Sequence, residues 1–106
     1  MNNIYVGWDS REDIAYQVCE HSIHRRTAAD SIKVYPLKQN LLRQQAVYWR
    51  EIDKLASTEF TFTRFLVPHL NNYTGWAAFC DSDMVFLTDA ATLFEGLDDS
   101  KAVYVV

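Results

Sequence analysis

"WAAFCDSDMVFL", residues 76–87, runs from apolar side chains into two aspartates two places apart. Its first part, Trp76 to Cys80, is apolar on both faces, the pattern of a central strand in a parallel sheet covered by helices on each side. Two carboxylates do not belong inside such a strand, so Asp81 and Asp83 mark its carboxyl end. In an extended chain residues two apart project to the same side, which sets Asp81 and Asp83 over one space with Ser82 turned away. Two ionised carboxylates about 5 Å apart repel by roughly 3 kcal/mol at an effective dielectric near 20. A divalent cation removes that conflict. All-oxygen donors favour Mg²⁺ or Mn²⁺ over Zn²⁺, and two carboxylates leave coordination positions free for water and a diphosphate. The plainer alternative is a strand-end turn and helix cap, for which aspartate is also suited.

Working outward, "NIYVGW" (3–8) is a β-rich run, and "DSRED" (9–13) after it reads as a loop and the start of a helix. The helix is expected from about Glu12 to Ala29, with Ile14, Ala15, Val18, Cys19 and Ile23 as its apolar stripe. Asp9 and Ser10 look like its cap. "SIKVYPL" (31–37) alternates as a strand near the sheet edge, closed by Pro36. "KQNLLRQQAVYWREIDKLA" (38–56) has a helical period from Val47 through Ile52 and Leu55 but no clear start. "STEFTFTRFLVPHL" (57–70) reads as a second helix capped by Ser57 or Thr58, with Phe62, Phe65, Leu66 and Leu70 on one face and Pro68 kinking or ending it. Past the deciding stretch, "DAATLFEGL" (89–97) is a short helix between Asp89 as cap and Gly96 as stop, and "KAVYVV" (101–106) starts another strand. Strands alternating with helices give an α/β fold, a Rossmann-like, mostly parallel sheet flanked by helices, as one domain over residues 1–106. A chain ending on an apolar strand is expected to be the N-terminal part of a longer protein.

Composition narrows the partners. A hydrophobic fraction of 49% and only three Gly and two Pro describe a chain with a core. Ten Lys and Arg against fourteen Asp and Glu, net charge −4, give no basic field for nucleic acid or an anionic membrane. No apolar run approaches the roughly 20 residues of a membrane span, and the start carries no secretion signal, so a cytoplasmic location is expected. Cys19 and Cys80 fall in apolar patterns and read as reduced, buried thiols. Gly7, Gly75 and Gly96 are scattered, so no glycine-rich loop wraps phosphate oxygens and charge must be neutralised otherwise. In open α/β sheets ligands sit at the carboxyl ends of strands, where "WDSRE" and the aspartate pair both fall.

Other polar residues weigh less. Arg64 reads first as a surface residue pairing with Glu59 or Asp53, and only second as a phosphate contact. His21 and His24 share a helical face, but no carboxylate or Cys completes a metal set there, and a solvated face beside Arg25 and Arg26 is favoured. His69 reads as surface. Trp8, Trp49 and Trp76 read as core or interface, with Trp8 beside the expected cleft.

"NIYVGWDSRED", "STEFTFTRFLVPHL" and "WAAFCDSDMVFLTDAATLF" together resemble, in order and spacing, the first half of a GT-A-fold nucleotide-sugar glycosyltransferase, of the type that includes glycogenin and the bacterial lipopolysaccharide galactosyltransferases. The resemblance implies a nucleotide-sugar pocket at Gly7, Trp8 and Asp9, an Arg that orients the donor at Arg64, and an Asp-x-Asp at Asp81, Ser82 and Asp83, whose aspartates hold Mn²⁺ or Mg²⁺. It implies a nucleoside-diphosphate sugar as donor, UDP-sugar favoured, and a glycan or lipid-linked acceptor. Family members continue past this point with an acceptor-binding half and, in many, a further metal-binding His. Residues 1–106 hold neither, so the fragment alone is expected to bind donor weakly and to lack turnover, and its uncovered sheet edge suits self-association.

"AAFCDSDMVFL" also fits the first motif of haloacid dehalogenase-type phosphatases, with Asp81 as nucleophile and Asp83 as general acid. Position counts against it, because that motif opens its chains and here about eighty residues precede it. A non-catalytic α/β nucleotide-binding module is the third alternative.

Overall fold

The computed structural model describes residues 2–28 and 30–105. Its centre is a three-stranded parallel sheet in the order β2-β1-β3. β1 is Asn2–Gly7, β2 is Ile32–Leu37 and β3 is Ala77–Cys80. β1 pairs in register with both neighbours, Ile4 facing Val34 on one side and Ala78 on the other. The middle strand is therefore β1, with Ile4 and Val6 fully buried, whereas every residue of β3 is only half-buried. The apolar run on both faces of β3 had pointed to a central strand. It is an edge among the described residues, because its outer backbone has no neighbour there.

Side chains alternate along β1 and so build two cores. Ile4 and Val6 join Tyr16, Cys19, Ile23, Ile32 and Ala90 on one face, with Ala78 and Cys80 of β3 against them. Tyr5 joins Leu37 and Val67 on the other, with Phe79 of β3. Helix α1, Asp13–Arg26, covers the first face. Its buried stripe is Tyr16, Cys19, Ser22 and Ile23, spaced three and four apart. Ile14 and Val18, expected in that stripe, are 69% and 48% exposed. The stripe is one step round the helix, because Tyr16 turns its ring inward and a buried Ser22 hydroxyl donates back to the Cys19 carbonyl. The helix also ends at Arg26, short of the expected end at Ala29, a residue outside the described ones.

Between β2 and β3 the chain crosses the other face with little regular structure. α2 is the short helix Gln39–Gln44, and the period from Val47 to Leu55 does not make a helix, since Ile52 and Leu55 are 74% and 95% exposed and bury no face. Residues Thr63–Leu66 form a 3₁₀ turn that runs into α3, Val67–Leu70. Pro68 does not end this helix; it sits in its first turn, where a missing N–H costs nothing. Phe65, assigned to the buried face, points outward, and Phe60, Thr63 and Val67 are buried instead. β2 likewise runs through Pro36 to Leu37, as an edge strand permits. Asp89 does cap the next turn, its carboxylate accepting the Ala91 N–H, but Ala90–Phe94 is 3₁₀ rather than α. Residues 101–105 form no strand, and Val103 and Val105 are largely exposed, since no strand among the described residues pairs with them. Val106 lies outside the described residues.

Candidate functional site at the carboxyl ends of β1 and β3

The connection from β1 through α1 leads to β2 on one side of the sheet, and the connection from β2 leads back past β1 to β3 on the other. The strand order reverses between β1 and β3. In open α/β sheets that reversal leaves a crevice at the carboxyl ends, because the two connections leave on opposite faces. The loops beginning at Trp8 and at Asp81 flank it.

The first loop is heavily tied. Asp9, 1% exposed, accepts from the Arg11 backbone N–H and Nε through Oδ1, both at 2.9 Å, and from Arg11 Nη2 through Oδ2 at 2.6 Å. Oδ2 also accepts the Glu59 N–H at 3.2 Å. The Arg11 guanidinium therefore holds the Asp9 carboxyl well below the usual carboxylate range, against the opposing effect of burial. Ser10 donates through both its N–H and its hydroxyl to Glu59 Oε2 at 3.0 and 2.6 Å. Asp9 and Ser10 thus do not cap α1, and Glu12, the residue before it, makes no capping bond. Asp9 is tied mainly to Arg11, two residues on, and both Asp9 and Ser10 also bond Glu59, about fifty places on, which no local pattern announces.

Gly7 has a related cause. A Cβ there would stand 2.5 Å from the Phe60 ring, so glycine is what lets the 57–60 loop lie on the end of β1. The Phe60 ring thus lies on Gly7, and the Asp9 carboxylate is turned to Arg11 and the Glu59 N–H. The open space lies alongside, in a shallow cleft of about 170 Å³ lined by Arg11, Gln39, Tyr48, Thr58, Glu59 and Phe62 among others. Trp8 is half-buried against the α1-side core, its indole N–H donating to Asp13 Oδ1 at 2.8 Å and Lys38 Nζ standing 4.9 Å from its ring.

The second loop carries the aspartates. β3 ends at Cys80, and residues 82 and 83 form a turn, so the same-side rule for extended chains does not govern Asp81 and Asp83. Asp81 is half-buried, Ser82 is 2% exposed and Asp83 is exposed. Arg64 Nη2 stands 3.8 Å from Asp81 Oδ1. This is the partner of Arg64, in place of Glu59 or Asp53. Its guanidinium carbon lies 5.6 Å from the Phe60 ring centre and 5.2 Å from that of Phe79, and its Nε donates to the Phe60 carbonyl. Two aromatic faces therefore aim the guanidinium at the end of β3. Residue patterns gave no site role to Arg11, Phe60 or Phe79 and took Glu59 only as a partner for Arg64; the part of the two phenylalanines in aiming Arg64 arises from packing.

Among the described residues neither Asp81 nor Asp83 accepts a hydrogen bond, and no three His, Cys, Asp or Glu side chains gather as a ready cage. In donor type alone, two carboxylates correspond to what a hard cation that keeps its waters takes from protein. They do not fit a closed structural site. His21, His24 and His69 are exposed and stand with no metal group. Trp49, at 80% exposure, is not core.

No family model and no solved structure matches the chain. It is similar to Protein CDI of Arabidopsis thaliana, 48% identical over 103 residues, which are 97% of this chain and 39% of that protein. The chain thus spans 39% of the length of the curated relative it matches. No helix among the described residues is long and apolar enough to cross a membrane.

Proposed function

We infer that this chain is the nucleotide-sugar-binding part of a metal-dependent, GT-A-like glycosyltransferase, transferring a hexose from a nucleoside-diphosphate sugar to a glycan or lipid-linked acceptor in the cytoplasm. The observation that carries the reading is the meeting of Arg64 with Asp81 at the point where the strand order reverses. A guanidinium beside Asp81, with Asp83 two residues on in the same turn, offers a diphosphate and its counter-ion both signs of charge. Asp81 and Asp83 hold Mn²⁺ or Mg²⁺, and Arg64, aimed by Phe60 and Phe79, donates to a phosphate oxygen. When bound, the cation offsets negative charge on the departing nucleoside diphosphate. Ser82, buried between the aspartates, shapes their turn. The nucleoside lies against the carboxyl end of β1 at Gly7, Trp8 and Asp9, next to the cleft lined by Arg11 and Tyr48.

Calorimetric titration with UDP and Mn²⁺ tests this. Binding that needs the metal and weakens at least tenfold in both Asp83→Ala and Arg64→Ala is the expected result. Binding unchanged in both variants, or phosphatase activity with phosphorylated Asp81, refutes it.

A further inference from the structure

Cys19 and Cys80 are 61 residues apart in sequence, yet their sulphurs stand 4.0 Å from each other. They meet because Cys19 lies on the buried stripe of α1 and Cys80 is the last residue of β3, both facing the same apolar layer. Both are free thiols; Cys19 is buried, and Cys80 is partly open to solvent. Cys80 is bonded directly to Asp81. Five residues on, the Phe86 N–H donates to Ser22 Oγ at 2.9 Å, and that hydroxyl in turn donates to the Cys19 carbonyl. The aspartate turn is therefore attached at both ends to one short stretch of α1. A disulfide is about 2.05 Å long, so closing the gap requires the sulphurs to approach by about 2 Å. In a close-packed layer such a movement passes to the attached backbone.

We propose that Cys19 and Cys80 are an oxidation site that forms a reversible disulfide, and that its closure reshapes the Asp81–Asp83 turn and weakens its hold on a divalent cation. The effect on the cation rests on the transferase reading above; the disulfide and the change in the turn do not. The oxidant is a low-molecular-weight disulfide of the glutathione type. Cys80, the less buried residue of the pair, attacks one sulphur of that oxidant as its thiolate; the oxidant's S–S bond breaks and one glutathione leaves, taking up the Cys80 proton. Cys19 then attacks Cys80 Sγ, the mixed disulfide breaks, and the second glutathione leaves with the Cys19 proton. The two cysteine sulphurs lose two electrons, and the oxidant becomes two thiols.

The test is incubation of the reduced protein with oxidised glutathione, followed by intact mass and by amide hydrogen exchange over residues 81–86. Expected are a loss of about 2 Da, the two thiol hydrogens of the exchange, reversed by dithiothreitol, and at least a threefold change in exchange in that segment. Cys19→Ala and Cys19→Ser should each stop at the glutathione adduct on Cys80. A protein that stays reduced, or an adduct that never resolves in the wild type, overturns the proposal. A disulfide that leaves exchange over 81–86 unchanged overturns the coupling. Manganese affinity is read separately: a tenfold loss on oxidation supports the full proposal and an unchanged affinity overturns its last clause. If the reduced protein binds no manganese at all, the transferase reading fails with that clause, while mass and exchange still decide the disulfide and the turn.

Discussion

Asp9 carries four hydrogen bonds at 1% exposure, which makes it the most committed acid in the described chain. Replacing it by Asn removes the charge that pairs with Arg11 and leaves donors facing an amide, and a loss of about 1–3 kcal/mol is expected in urea unfolding. Its native carboxyl is held below the usual range. A carboxyl depressed in the folded state stabilises fully above its unfolded value near pH 4, and that stability drains as pH falls toward the folded value. Unfolding followed from pH 6 to pH 2 should thus show wild type falling toward Asp9→Asn, with the difference largest at neutral pH. Gly7 offers a steric counterpart. Gly7→Ala sets a methyl within the Phe60 ring, so Phe60 must move or β1 must shift, at a cost of about 1–3 kcal/mol in the same assay.

Among elements, α1 and the segment that follows β3 are joined by more than apolar contact. Ser22, on the helix, holds the backbone of Phe86 and so fixes where the segment after the aspartates returns to the core. Ser22→Ala should cost about 1 kcal/mol and speed amide exchange at Phe86, with little change in β1. The sequence shows why such a bond was illegible. A serine among Cys19 and Ile23 reads as a weak break in an apolar stripe, and the stripe itself was placed on Ile14 and Val18, which face outward. The existence and order of β1, α1, β2 and β3 were legible because each is a run with a clear period and a polar stop. The 38–62 segment was not, since its aromatic residues follow no single face: Phe60 rests on distant Gly7, Phe62 lies under Arg50 of the same segment, and Trp49 is exposed.

At the scale of the molecule, surface is the dominant feature. The chain exposes 7368 Å² at 12.3 kDa, where a compact monomer of that mass exposes about 6,100 Å². Trp49, Leu55, Phe65, Leu87 and Val105 are each at least 74% exposed. The outer edge of β3 pairs with nothing among the described residues. Surplus apolar surface and an open strand edge favour association, so sedimentation equilibrium on the 106-residue chain should give a mass above 12.3 kDa that rises with concentration. A constant monomer mass would count against this.

Local chemistry in the chain determined the α/β alternation, the end of β3 before the aspartates, the acid-rich turn after it and the cap at Asp89, because each depends on neighbours within a few residues. Only tertiary structure decided that β1, not β3, is central, that Asp9 and Ser10 meet Glu59, and that Arg64 turns to Asp81. Those outcomes depend on which distant segments compete for the same space and the same buried polar groups, and the period of a sequence holds no record of that competition.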